Sequence, residues 1–235
     1  MNASFAGVGE RTDTGRSRRR NEDSLRVNRD AGLLVVADGM GGHPAGDVAS
    51  MMAGEAVERA VVDGGFTLAE AVRAAHRSIV DAGREGHGAP GMGTTCVACC
   101  LRGRLLETAW VGDSRLYRFR DGQLEQLSRD HSWVQSLVDA GELAADAVDR
   151  HPERHVLAQC LGSPDGVEVE AETVGVEPGQ RLLLCTDGLT GEVDEATIAG
   201  VLRDQPDDRR AADELVEAAL AAGGGDNVTV IVATI

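Results

Sequence analysis

Leu33-Leu34-Val35-Val36-Ala37-Asp38-Gly39 is an unbroken apolar run that ends on an acid and a glycine. A run of this length reads as a strand buried on both faces, which puts its last carboxylate at the rim of a sheet. The arrangement recurs. Leu182-Leu183-Leu184-Cys185-Thr186 leads into Asp187-Gly188, Trp110-Val111-Gly112 leads into Asp113, and Gly225-Asp226-Asn227 opens onto Val228-Thr229-Val230-Ile231-Val232. A single Asp-Gly is a common turn. Several acids at strand ends are another matter, because they can converge, and unpaired they repel one another. A hard divalent cation relieves that repulsion, and an all-oxygen set without clustered Cys or His points to Mg2+ or Mn2+ rather than Zn2+. Glycine after the acid lets a backbone carbonyl approach an ion. The chemistry implied is two-metal hydrolysis.

Outward from these runs, short apolar strands are predicted at Leu33 to Ala37, Thr94 to Leu101, Leu105 to Val111, Leu116 to Arg120, Leu124 to Leu127, Arg181 to Cys185 and Val228 to Ala233. Asp121-Gly122 joins two of them as a hairpin turn. Helical periodicity runs from Asp47 to Val62 and from Leu68 to Ala82, with further helices over Trp133 to Ala140, Glu195 to Arg203 and Arg209 to Ala222. Strands come in runs and helices in pairs. That is the α+β pattern of packed sheets with helices outside, not strict βαβ alternation. The polar stretch 143–166 reads as a surface flap.

Acidic residues outnumber basic ones 39 to 23, for a net charge of -16, and 42% of the 235 residues are apolar. One domain spanning residues 1–235 is expected. Every basic residue is Arg, so there is no Walker-type phosphate loop, Schiff-base lysine or kinase β3 lysine. The acidic balance argues against nucleic acid and anionic membranes as partners. Cys96, Cys99, Cys100, Cys160 and Cys185 lie mostly in apolar runs and read as reduced residues of a cytoplasmic protein. No apolar stretch has signal-peptide or membrane-spanning length, and a monomer is expected.

Asn21-Glu22-Asp23-Ser24, Asp38-Gly39-Met40-Gly41-Gly42-His43, Gly93-Thr94-Thr95, Gly112-Asp113-Ser114-Arg115, Ser128-Arg129-Asp130-His131-Ser132, Thr186-Asp187-Gly188-Leu189 and Gly225-Asp226-Asn227 follow one another in order. In this series the chain resembles the bacterial branch of the metal-dependent serine/threonine phosphatases, the protein phosphatase 2C or PPM family. The resemblance implies a four-layer αββα fold, a central β-sandwich of two mainly antiparallel sheets flanked by helix pairs. It implies two primary Mn2+ or Mg2+ ions: Asp38 bridges both, the Gly39 carbonyl contributes, and Asp187 and Asp226 complete the first. Glu22 and Asp23 lie beside the second ion through water. Asp130 with Asp187 would hold a third ion, and Asp113 lies close by, ranked below the others. Arg18 takes the place of the phosphate-binding arginine, and His43 that of the general acid for the leaving alkoxide. The substrates implied are proteins phosphorylated on Ser or Thr, attacked in line by a water or hydroxide bridging the ions, in opposition to a bacterial Ser/Thr kinase.

Without the family register, Arg18 is one member of a basic run that also contains Arg16, Arg19 and Arg20, and such a run is usually solvated surface. Two further motifs are decoys. Cys96 to Arg102 has tyrosine-phosphatase spacing, but it is an apolar β run without the glycine loop that wraps a phosphate. His151 and His155 have zinc-helix spacing, but Pro152 lies between them. The family often has Asn where His155 stands. A two-metal nuclease or other phosphodiesterase would want a basic face. A catalytically dead phosphoprotein-binding module of the same fold should have lost one of Asp38, Asp187 or Asp226, and all three are present.

Overall fold

The structure, a computed structural model, describes residues 5–40 and 45–235. The run that opens on Leu33 becomes β3 (Leu33–Asp38), and both of its faces are buried as its composition demands. Leu33 and Val35 pack toward a helix pair, whereas Leu34 and Val36 pack into the space between two sheets. That alternation follows from the two-residue period of a strand.

Around β3 a five-stranded sheet forms in the order β2 (Asp23–Asn28), β3, β4 (Cys96–Arg102), β5 (Leu105–Val111) and β8 (Glu170–Gly175). The second sheet has the order β1 (Gly7–Asp13), β10 (Val228–Thr234), β9 (Arg181–Cys185), β6 (Arg115–Arg120) and β7 (Gln123–Gln126). Every pairing is antiparallel. Helices α1 (Gly46–Val62) and α2 (Leu68–Glu85) cover the outer face of the first sheet. Helices α5 (Glu195–Asp204) and α6 (Asp208–Ala222) cover that of the second. Between the sheets lie Leu34, Val97, Cys99, Leu182, Leu184 and Ile231, and the result is the four-layer αββα sandwich. Two short helices, α3 (Trp133–Asp139) and α4 (Asp187–Thr190), flank the carboxylate rim.

The apolar runs are the inner strands. β1, β2 and β8, which hydrophobic patterning does not reveal, are sheet edges, where one side needs no apolar partner. Turn chemistry is legible: Asp121 and Gly122 both take positive φ, 53° and 77°, as a type I′ hairpin requires. Helix α2 begins on a capping box between Thr67 and Glu70 and stops at Gly86 with φ 81°. At the far end of the second sheet, buried Arg181 donates to Asp208 through Nε at 3.0 Å and Nη2 at 2.8 Å, and its Nη1 donates to the Leu202 and Gln205 carbonyls. This pair ties β9 to the end of α5 and the start of α6.

Segment 143–166 is a flap of turns around a 3-10 stretch, Ala145–Arg150. It is stitched down by Trp133 N–H donating to the Val156 carbonyl, Ala158 N–H to the His131 carbonyl, and the pairing of Leu161 with Thr94. Among the described residues no helix is long and apolar enough to cross a membrane, and all five cysteines are free thiols.

Candidate active site

Strand ends bring the acids together. Asp38 ends β3, Asp113 follows β5, Asp187 follows β9, and Asp226 precedes β10. All four line one open cavity of about 700 Å3, together with Arg18, Met40 and flap residues Arg154 to Leu157. The cradle is tight. A Cβ on Gly39 would lie 2.3 Å from the Gly46 carbonyl oxygen, and one on Gly188 would lie 1.8 Å from that of Asn227, so neither position accepts a larger residue.

Small hydroxyl residues hold the backbone of Asp38. Thr95 donates its N–H to the Asp38 carbonyl at 2.8 Å, and its Oγ1 accepts from the Asp38 N–H at 2.9 Å. The Thr94 hydroxyl donates to the same carbonyl, and Ser114 shares a hydrogen bond with Thr95 Oγ1. This gives the Gly93-Thr94-Thr95 and Asp113-Ser114 stretches their physical role, which sequence reading leaves unassigned. Asp23 lies opposite Asp38 across the β2–β3 ladder, where its Oδ2 accepts from Thr186 and Thr229. Glu22 is fixed by its backbone, with its N–H on Asn227 Oδ1 and its carbonyl accepting from the Gly39 N–H and the Ser50 hydroxyl.

The cluster carries a strong electrostatic load. Burial, followed by the charges of Asp23, Asp187, Asp113 and Asp226, lifts the Asp38 carboxyl well above the usual carboxylate range. Asp23 is pushed up to about 7, by burial first and by Asp187 and Asp226, against the pull of its two threonine hydroxyls. Burial and then Asp187 raise Asp113. Burial and then Asp47 raise Glu22, while Arg18 and Arg20 oppose the shift. Asp23 Oδ1 and Asp187 Oδ1 are buried without a hydrogen-bond partner. Orphaned, mutually repelling carboxylate oxygens fit a hard divalent cation. Among the described residues no three His, Cys, Asp or Glu side chains close into a ready-made shell.

Arg18 reaches into the cavity, and its Nη2 lies 2.6 Å from Asp226 Oδ2. Asp130 lines a smaller adjoining cavity with Asp113 and Asp187, and there it is paired with an arginine. Its carboxylate accepts from Arg115 Nε on both oxygens at 3.0 Å, from Arg115 Nη2 at 2.7 Å and from Gln126 Nε2 at 3.0 Å. Asp113, ranked lower by sequence, lines both this smaller cavity and the main one, each time together with Asp187. His43 lies outside the described residues.

The decoys separate. Cys96 is a buried residue of β4 whose thiol burial pushes up to about 12. The two flap histidines diverge, His151 packing against Trp133 with the rings tilted by 59° and their centroids 5.5 Å apart, and His155 facing Asp187 with Nδ1 3.7 Å from Oδ2. Sequence reading also misses Asn227, whose side chain is 4% exposed. Its Nδ2 donates to the carbonyls of Thr14 and Arg20, and so clamps both ends of the arginine loop.

Comparison with known proteins agrees with this geometry. Residues 14–222 match the family Protein phosphatase 2C. Serine/threonine protein phosphatase PstP of Mycobacterium tuberculosis H37Rv is 41% identical over 232 residues, covering 96% of this chain; the chain spans only 44% of that relative's length. Serine/threonine phosphatase stp of Listeria innocua is 36% identical over 233 residues, covering 94% of this chain and 92% of the relative. The crystal structure of M. tuberculosis PstP/Ppp superposes with a TM-score of 0.90 at 38% identity, covering 97% of each chain. The PstP catalytic domain in complex with two manganese ions gives 0.86 at 38% identity, covering 97% of this chain and 96% of that one. The ordered acids at the strand ends, the αββα sandwich that carries them and these matches lead to one assignment: the chain belongs to the protein phosphatase 2C family.

Proposed function

We propose that residues 1–235 form one catalytic domain that hydrolyses phosphoserine and phosphothreonine monoesters on proteins, dependent on Mn2+ or Mg2+. The observation that carries this reading is the convergence of Asp38, Asp113, Asp187 and Asp226, with orphaned carboxylate oxygens, beside the Arg18 guanidinium in an open cavity. Asp38, the Gly39 carbonyl, Asp187 and Asp226 are the residues to hold the two primary ions, with Glu22 and Asp23 behind them, and Asp113 and Asp130 share a smaller cavity with Asp187 where a third ion would sit. When bound, the ions supply Lewis-acid polarisation of the phosphoryl group and bring the pKa of water toward neutrality. A manganese pair in the related PstP catalytic domain supports the metal choice.

The chain's own residues do the rest. Thr94, Thr95 and Ser114 lock Asp38, and the hydroxyls of Thr186 and Thr229 orient Asp23, so the carboxylates are preorganised. Arg18 spends one nitrogen on Asp226 and turns its remaining N–H donors to phosphoryl oxygens, which a planar guanidinium grips in pairs. His43 protonates the leaving alkoxide, a role that rests on the family register alone. A Ser/Thr kinase is the enzyme such a phosphatase opposes. The test is hydrolysis of phosphoserine, phosphothreonine and phosphotyrosine peptides with Mn2+, Mg2+ or EDTA. Turnover of the first two with either metal is expected, and full activity in excess EDTA would overturn the reading.

A further inference from the structure

The segment Thr14-Gly15-Arg16-Ser17-Arg18-Arg19-Arg20-Asn21 carries four arginines and no acid, in a chain with a net charge of -16. Arg18 is accounted for by Asp226 and the phosphate it is proposed to bind. The other three are surplus to that role. Among the described residues, Arg16 and Arg19 have no carboxylate within 4 Å, and Arg20 has only a 3.9 Å approach to Asp47 with its side chain 79% exposed.

A basic run is usually solvated surface, and geometry separates this one from that reading. The loop is held at fixed points. Asn227 Nδ2 donates to the Thr14 carbonyl and to the Arg20 carbonyl, each at 2.8 Å, and Arg16 N–H donates to the Gly224 carbonyl at 2.8 Å. Gly15 takes φ 74°, and a Cβ there would lie 2.1 Å from the Asp226 carbonyl oxygen, so the loop lies directly on the turn that presents Asp226. Arg16, Arg19 and Arg20 are therefore anchored within two residues of the side chain that enters the cavity.

We propose that Arg16, Arg19 and Arg20 form a cationic collar that selects phosphoprotein segments carrying Asp or Glu close to the phosphorylated residue. The inference rests on the phosphatase reading and names the substrate class for the same site. An extended chain advances about 3.3–3.6 Å per residue, so arginines next to Arg18 reach side chains within roughly three positions of the phosphoresidue and no farther. Elsewhere the acidic surface repels an acidic substrate, and the collar supplies the local attraction. Exposed ion pairs are weak singly, and two or three together give a preference of about three- to ten-fold. The attraction is screened within about 8 Å at physiological salt, so it acts on near charges and fades as salt rises.

The experiment compares three phosphothreonine peptides with saturating Mn2+: one with acidic residues at the second and third positions on either side, one with Gln there, and one with the acids moved eight positions away. p-Nitrophenyl phosphate is the control. Wild type is expected to prefer the near-acidic peptide in kcat/KM by about three- to ten-fold, mainly through KM, and the preference is expected to shrink in 0.5 M NaCl. The triple variant Arg16→Gln, Arg19→Gln, Arg20→Gln should treat the peptides alike and turn over p-nitrophenyl phosphate as wild type does. Equal efficiency on all three peptides by wild type, or a preference that survives in the triple variant, overturns the collar while leaving the phosphatase reading standing. The wild-type comparison needs no variant to fold. Failure to hydrolyse any peptide or p-nitrophenyl phosphate would instead overturn the phosphatase reading itself.

Discussion

Replacing Asn227 tests whether the loop that carries Arg18 is positioned by hydrogen bonds or merely by shape. Its side chain accepts from the Glu22 N–H and donates to the Thr14 and Arg20 carbonyls, all at 2.8 Å, and it is 4% exposed. At about 1 kcal/mol net for each bond, with an added cost for polar groups left buried and unpaired, Asn227→Ala should cost on the order of 2–4 kcal/mol. For a chain of this size each kcal/mol lowers Tm by about 2–4 °C, so a fall of roughly 5–15 °C is expected. Asn227→Asp is nearly isosteric. It keeps an acceptor for Glu22 N–H but turns an anion toward two carbonyls beside Asp226 and Asp187, so it should be at least as damaging as Ala. Both variants should raise KM for p-nitrophenyl phosphate more than they lower kcat, because a loosened loop no longer holds Arg18 at the phosphoryl group. Thermal unfolding and Michaelis kinetics at saturating Mn2+ measure both effects. If Asn227→Asp melted within about 2 °C of wild type with KM unchanged, shape alone would suffice and the hydrogen-bond argument would fail.

Three further outcomes follow from the site and its frame. Asp113→Asn should weaken metal-dependent turnover more than Asp130→Asn, whose main effect should be lower stability from stranding the Arg115 guanidinium; kinetics under Mn2+ titration, read beside Tm, separate the two, and the reverse ranking would make Asp130 the more important ion ligand. Asp208→Ala leaves Arg181 buried and unpaired far from the cavity, so about 3–5 kcal/mol of stability should be lost while activity per folded molecule at low temperature stays unchanged. Cys96→Ser should leave metal-dependent turnover intact, since a buried thiol pushed up to about 12 supplies no thiolate; abolished turnover in a folded variant would reopen cysteine chemistry.

How much of this was legible in the sequence depended on where the information sat. Inner strands announce themselves because both faces must be apolar, as in β3 and β9, and the Asp-Gly that ends such a run marks the rim. Three of the four edge strands do not, the exception being β7, which the Asp121-Gly122 turn marks. β1 and β8 are largely polar, and every residue of β2 is only half-buried, so no hydrophobic period marks them. The acids at strand ends were found for the same reason the strands were. The pairing of Asp130 with Arg115 was not recoverable from order along the chain, because Arg115 lies fifteen residues earlier and is brought alongside by the β6–β7 hairpin. Asn227 was hidden in the same way, its partners lying more than two hundred residues away.

Sheet register decides why these acids act together at all. Asp23 is paired with Asp38 across the β2–β3 ladder, and side chains on neighbouring strands share a face only when the pairing is in step. A slip of one residue would place Ser24 opposite Asp38 and turn Asp23 to the other face. The metal-binding rim then depends on an edge strand that composition leaves unmarked, and something must hold that strand in step. Two threonines do so from the opposite sheet, Thr186 after β9 and Thr229 in β10, both donating to Asp23 Oδ2. The hydroxyls thus link the two sheets at the one end where the carboxylates meet. Burial there pushes the Asp23 carboxyl up to about 7 even against the pull of these hydroxyls, and a cation beside it would favour its ionised form.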